Sequence, residues 1–259
     1  MTDAAPRTRL LVVNPNTTQS MTLSIVETAR RYAQPETEII GLTAPWGAPS
    51  IEGYFEGFLS AAAVMEAVVT YPEPYDAVVM AGFGEPGREG VRELVSVPVM
   101  DITECAMLMA CTLGHRFSVI TTLERAIPSI EEVICSTGLE KRCASVRALG
   151  LAVLTLEREP DLTRRRLAEE AENALERDGA EVIVLGCGGL GGFDKVLQSR
   201  LNVPVIDGIV AAVKMAEACC DYGVQTSKKN AFAQPRPKPI EGWPSAAASA
   251  NSQGPGRVG

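Results

Sequence analysis

Val97-Pro98-Val99-Met100-Asp101 returns 106 residues later as Val203-Pro204-Val205-Ile206-Asp207. Each stretch is a short apolar run closed by an aspartate. Two further pairs share the order and nearly the same offset. Asp76-Ala-Val-Val-Met-Ala-Gly82-Phe-Gly-Glu-Pro-Gly87 has the character of Ala180-Glu-Val-Ile-Val-Leu-Gly186-Cys187-Gly-Gly-Leu-Gly191, and Leu11-Val-Val-Asn14 that of Ser118-Val-Ile-Thr121. The offsets are 105 from Gly82 to Cys187 and 107 from Asn14 to Thr121. Three ordered matches at one offset identify a duplicated unit. Apolar runs at Leu10–Val13, Ala77–Ala81, Val97–Met100, Phe117–Ile120, Val182–Leu185 and Val203–Ile206 suit strands covered on both faces, as in a parallel sheet. Helical segments at Ser20–Tyr32, Gly57–Tyr71, Thr103–Leu113, Ile130–Gly138, Leu162–Asp178 and Ile209–Tyr222 separate them. The expected fold is α/β, two pseudosymmetric parallel-sheet domains with a cleft between them. One domain takes residues 1–102 plus 207–225, the other 103–206.

From Thr226 to Gly259 the composition changes to five prolines and five Lys+Arg against one acid, which reads as a disordered tail. The tail carries +4 of a net −8 over 259 residues, leaving −12 on the body. An acidic body argues against nucleic acid and anionic membrane as partners. No apolar run is long enough to cross a bilayer, and the first residues lack a secretory h-region. The seven cysteines form no C-x-x-C pair, so they are expected as reduced thiols in a cytoplasmic protein. His115 is the only histidine and zinc-ligand spacings are absent, so no metal is expected. Apolar helix faces on a small body point to a homo-oligomer.

Cys187 is the sharpest chemical candidate. It follows an apolar run in Leu185-Gly-Cys-Gly-Gly-Leu-Gly-Gly, where glycines let the backbone approach closely and leave amides for a ligand. An unperturbed thiol is about 3% thiolate at pH 7, and loop amides would raise that fraction. The other cysteines fall in predicted helices or near strand ends and read as small buried hydrophobes; Cys105, beginning a helix after Asp101-Ile-Thr-Glu104, is a partial exception. His115 lies in a turn away from the glycine loops and reads as surface. Asn14-Pro-Asn-Thr-Thr is turn and N-cap chemistry whose amides also suit a ligand carbonyl or N–H. Gly82-Phe-Gly-Glu-Pro-Gly lacks the lysine of a phosphate loop, and Glu85 in it reads as solvated rather than as a base.

Val13-Asn-Pro-Asn-Thr-Thr with Met21-Thr22, Ala81-Gly-Phe-Gly-Glu-Pro-Gly, Leu113-Gly-His-Arg-Phe-Ser-Val-Ile-Thr-Thr-Leu, Glu140-Lys-Arg-Cys-Ala-Ser-Val-Arg and Leu185-Gly-Cys-Gly-Gly-Leu together resemble the aspartate/glutamate racemase superfamily, most closely the hydantoin racemases. The resemblance spans Leu11 to about Gly223. It implies the same two-domain fold and a cofactor-free reaction on a small molecule: one thiolate removes a proton next to a carbonyl, and the opposite thiol returns one to the other face. The second family cysteine corresponds to Cys187; the first falls on Gly82. Losing one such group typically costs about 10²–10⁴-fold. On this reading Asn14, Pro15, Asn16, Thr121 and Thr122 hold the substrate. Amides near Phe83, Gly84, Gly188 and Gly189 surround the planar intermediate. A glycine opposite a single cysteine also resembles the arylmalonate decarboxylases, with Cys187 as sole proton donor, although Phe83 and Gly84 stand where those enzymes place hydroxyls. A third alternative is a non-catalytic ligand-binding homologue.

Overall fold

The computed structural model describes residues 8–84 and 86–244. Two four-stranded parallel sheets carry the fold. The first has β1 (Thr8–Asn14), β2 (Thr37–Thr43), β3 (Ala77–Met80) and β4 (Val99–Asp101) in the order β2-β1-β3-β4. The second has β5 (Phe117–Thr121), β6 (Cys143–Ala148), β7 (Val182–Leu185) and β8 (Val205–Asp207) in the order β6-β5-β7-β8. The orders are identical once the second set is renumbered, and the repeat pairs match strand for strand. Asn14 and Thr121 end β1 and β5, and Asp101 and Asp207 end β4 and β8. The central strands β1, β3, β5 and β7 are buried almost throughout, as continuous apolar runs in a covered sheet must be.

Among the described residues the α-helices are α1 (Gln19–Tyr32), α2 (Tyr54–Thr70), α3 (Arg88–Leu94), α4 (Ile102–Leu113), α5 (Ile127–Ser136), α6 (Thr155–Arg158), α7 (Pro160–Arg177), α8 (Asp194–Leu201) and α9 (Gly208–Tyr222). The edge strands β2 and β6 and the short helices α3, α6 and α8 were not expected from sequence. Thr-Glu-Ile-Ile-Gly-Leu-Thr and Cys-Ala-Ser-Val-Arg-Ala are half-buried, so their composition is mixed. A helix of two turns has too few residues to show a period.

The repeated aspartates explain themselves at the strand-to-helix junctions. Asp101 accepts from the Glu104 amide at 3.0 Å and so caps α4; Asp207 accepts from the Ile209 amide at 2.8 Å and caps α9. An N-cap carboxylate of this kind contributes about 0.5–2 kcal/mol. The capped helices then exchange sheets. α4 leaves the first sheet to pack on β7 and β8 of the second, and α9 leaves the second to pack on β3 and β4 of the first. Where they cross, a Cβ on Gly208 would lie 2.9 Å from the Ile102 carbonyl oxygen and 3.1 Å from Ile102 Cβ. Ile102, Ala106, Met107 and Ala110 of α4 share one apolar cluster with Ile209, Ala212, Val213 and Ala216 of α9.

Thr226 to Phe232, which composition assigns to a loose tail, lie against the first sheet's edge and α3. The Thr226 amide donates to the Ser96 carbonyl at 3.0 Å, Lys228 Nζ donates to the Arg92 carbonyl at 2.6 Å, and the Arg92 guanidinium sits 5.7 Å from the Phe232 ring centre. Residues 245–259 of that expected tail lie outside the described residues. None of the described helices is long and apolar enough to cross a membrane.

The helix crossing makes two Gly→Ala changes opposite in sign. Gly208→Ala should lower stability by about 1–3 kcal/mol, because the methyl meets backbone. Gly57→Ala, in α2 with nothing within 4 Å of the new methyl, should raise it by about 0.5–1 kcal/mol through helix propensity. Urea unfolding of both variants measures this, and equal effects would contradict a tight crossing at Gly208.

Candidate active site

Crossed helices bring the carboxyl ends of the two sheets face to face. A Cβ on Gly188 would lie 2.9 Å from the Ala81 carbonyl oxygen, so the loop after β7 rests on the loop after β3 only because residue 188 is glycine. Beside this contact is a cavity of about 50 Å³, lined from one half by Pro15, Asn16, Gly82 and Phe83 and from the other by Thr121, Thr122, Cys187, Gly188 and Gly189. Nine of the eleven residues expected at the site therefore share one cavity.

Cys187 is held by a 3₁₀ turn over Gly188–Leu190, for which it is the N-cap. Its Sγ accepts from the Gly189 amide at 3.4 Å. That bond favours the thiolate, but burial outweighs it, with Glu52 and Glu157 adding to the penalty, and the pKa is pushed up to about 11. The loop amides act in the expected direction, but burial reverses the net effect: with a pKa of about 11, only about one thiol in ten thousand is ionised at pH 7.

Gly82, which lines the same cavity as Cys187, is packed rather than vacant where a side chain would start. A Cβ there would lie 2.7 Å from both Pro15 Cγ and Pro86 Cγ. The neighbouring amides are not equivalent. Gly84 N–H donates to Thr103 Oγ1 at 3.0 Å, and Gly189 N–H is used by Cys187. The Phe83 and Gly188 amides have no bond of this kind among the described residues and are among the donors open to a ligand. Glu85 lies outside the described residues.

Asn14 sits beneath the site and outside the cavity lining. Its Nδ2 donates to Asn16 Oδ1 at 3.0 Å and Thr22 Oγ1 at 2.9 Å, while its Oδ1 accepts from the Asn16 amide at 3.2 Å. It braces the turn that presents Asn16, whose own Nδ2 meets only the soft sulfur of Met21 at 3.0 Å and so retains capacity for a better acceptor. Thr121 Oγ1 donates to the Gly186 carbonyl at 3.2 Å, tying the β5 loop to the cysteine loop. His115 is exposed, its amide on Glu181, and takes no part. Cys105 is buried beside Met100, away from the cavity, and burial pushes its thiol far up. Among the described residues no group of three or more His, Cys, Asp or Glu is arranged to hold a metal.

Sequence reasoning did not assign Met21, Ile51, Ala126 or Val153 to the site; with Ala81 and Gly186 they complete the lining. They are ordinary apolar residues in helices and loops and carry no local signal. Ile51, Phe83 and Ala126 also line a larger chamber of about 440 Å³, which adjoins the inner cavity. Its walls include Tyr54, Phe58, Glu89 and Glu132, the last accepting from the Tyr54 hydroxyl at 2.8 Å.

This arrangement has close relatives. A crystal structure of allantoin racemase from Pseudomonas fluorescens is 52% identical, with a TM-score of 0.88 over 90% of this chain and 99% of that one. A hydantoin racemase from Rhizobium meliloti is 41% identical over 232 residues, 89% of this chain and 96% of its own. Another from Pseudomonas sp. (strain NS671) is 39% identical over 235 residues, 90% of this chain and 94% of its own. The family model for Asp/Glu/Hydantoin racemase matches residues 10–216. The chain belongs to the Asp/Glu/hydantoin racemase family and is an enzyme of the isomerase class.

Proposed function

We propose that the protein racemises 5-monosubstituted hydantoins and related cyclic ureides such as allantoin, using Cys187 as its single thiol acid/base. The observation that carries this reading is the charge of the inner cavity. None of the described residues lining it is charged. A site for aspartate, glutamate or another amino-acid zwitterion has to offset the desolvation of fixed charges, which costs several kcal/mol per unpaired ion. A neutral ring with alternating carbonyls and N–H groups needs instead what is present: the Asn16 amide, the Thr121 and Thr122 hydroxyls and two backbone N–H groups. The names of the relatives point the same way.

In this reading the Cys187 thiolate takes the C5 proton, the C–H electron pair moves into the adjacent carbonyl, and the enolate oxygen is met by the Phe83 and Gly188 amides. Return of the proton from Sγ restores the starting enantiomer. Inversion requires delivery to the other face, where Gly82 offers no side chain, so water entering from the outer chamber supplies that proton. Water's hydroxide then takes up the proton left on Cys187. The decarboxylase alternative gains from a thiol that stays protonated, since a proton donor is all that it needs. It loses more, because a malonate dianion would enter a cavity with no cationic side chain among the described lining residues.

Three outcomes test the proposal. In D₂O with single enantiomers of a 5-alkyl hydantoin, loss of the C5–H signal in proton NMR should outpace loss of optical rotation for one enantiomer. Cys187→Ala should abolish both; no exchange above that variant would overturn the reading. Because burial raises the Cys187 pKa, the thiolate fraction climbs with pH. kcat/KM for exchange, corrected for the uncatalysed rate, should therefore rise close to tenfold per unit from roughly pH 7 to 8.5 without levelling. A plateau in that range would mean a thiol of ordinary acidity. Finally, Gly82→Cys alone should lower stability by about 1–3 kcal/mol through its clash with two proline rings. Combined with Pro86→Ala, it should raise racemisation about tenfold or more over the starting protein.

A further inference from the structure

The mirror-related aspartates cap helices, yet each has a second task on a different loop. In the second half Asp207 Oδ2 accepts from the Gly192 amide at 3.3 Å, pinning the end of the loop that carries Cys187. In the first half Asp101 reaches the Gly82 loop through an intermediary. Thr103 Oγ1 donates to Asp101 Oδ1 at 3.2 Å and accepts from the Gly84 amide at 3.0 Å. Both pinned glycines are in the left-handed region, Gly84 at φ 93° and Gly192 at φ 86°, where loops turn sharply and little else fixes the backbone. Thr103 and Asp101 are both fully buried, and Asp101 also meets Arg88 at 3.3 Å, so the carboxylate is itself held from two sides.

We infer that Thr103 is a positioning residue: its hydroxyl, oriented by Asp101, fixes the Gly84 amide and thereby aims the adjacent Phe83 N–H at the reacting carbonyl. Gly84 and Phe83 are consecutive, so rotation of the Gly84 peptide plane moves the neighbouring amide as well. The hydroxyl suits this task because it accepts from one side and donates to the other at once. A valine of the same shape does neither, and it leaves the half-buried Gly84 amide without this partner. This rests on the proposed function only for the meaning of Phe83 N–H; the restraint on the loop stands on geometry alone.

The test therefore has two arms, each read on the full chain. Amide hydrogen exchange should show the segment 82–87 exchanging at least tenfold faster in Thr103→Val than in the starting protein or in Thr103→Ser, with segment 186–192 unchanged. Thr103→Cys, whose thiol is a weak acceptor, should fall between, and it replaces Thr103→Val if that variant does not fold. In the kinetic arm, Thr103→Val should lower kcat for C5–H exchange at least tenfold with KM changed less than threefold, and Thr103→Ser should restore it. A merely structural threonine would instead raise exchange through both halves and lower thermal stability without separating kcat from KM. Unchanged protection of segment 82–87 overturns the inference whether or not hydantoins are substrates. Faster exchange of that segment with unaltered kcat overturns the link to catalysis. A starting protein inactive on hydantoins counts against the proposed function and leaves the exchange arm to decide the restraint.

Discussion

The close approach of Gly208 to the Ile102 carbonyl sets the geometry of the whole molecule. Each sheet is covered on this side by a helix that grows from the other sheet, so neither half completes its own core. Hydrophobic burial by itself is non-directional and would tolerate a range of relative orientations. The backbone contact at the crossing narrows that range, since a methyl group of extra separation there would part α4 from α9. A second glycine-on-carbonyl contact, Gly188 on Ala81, lies at the site itself. The inner cavity is small because it sits beside that contact, between loops whose spacing is set by packed backbone rather than by adjustable side chains.

That rigidity bears on the chemistry through electrostatics. The body is strongly acidic, yet the cavity lining among the described residues is uncharged, and the carboxylates of Glu52 and Glu157 act on Cys187 from outside it. Burial and these carboxylates all favour the neutral thiol, and the Gly189 amide only moderates them. A thiol held this way is a weak acid and, once ionised, a strong base. Abstracting a proton from carbon needs such a base, and the cost is that the ionised form is rare. On the proposed mechanism the energetic demand then shifts to stabilising the enolate. Amide donors fixed before the substrate arrives are effective there because they need no reorganisation during reaction.

Much of this was legible in the sequence because the duplicated unit leaves apolar signatures wherever a strand is covered on both faces. Leu10–Val13, Ala77–Ala81 and Val182–Leu185 read as strands for that reason, and the glycine and asparagine turns after them located the cavity. β2 and β6 were not legible: edge strands are half-buried and their residues satisfy mixed demands. Asn14 was misplaced by one layer, since its amide has the right chemistry for a ligand but is consumed by Asn16 and Thr22. Thr103 gave no signal, because its neighbours Asp101 and Gly84 come together only through the turn after β4 and the packing of the loop after β3. Ile51 and Val153 were equally silent, apolar residues whose role is set by where the tertiary structure puts them.

The fold is nearly symmetric about the cavity while the chemistry is not, and the prolines show how the difference is maintained. At Cys187 the backbone turns so that a side chain projects into the cavity. At the matching Gly82 the corresponding volume is taken by Pro15 and Pro86, rings with few degrees of freedom. Gly82 therefore does not face a hole waiting to be filled: a residue with a Cβ at that position would have to displace two proline rings. Sequence alone suggests that one atom group has been deleted from an otherwise paired site. The packing makes Gly82 and its proline neighbours one unit, so any side chain introduced at Gly82 has to be accompanied by relief at Pro86 or Pro15. The two repeat-related positions therefore differ in kind: a part-buried thiol at Cys187, and close-packed glycine and proline at Gly82.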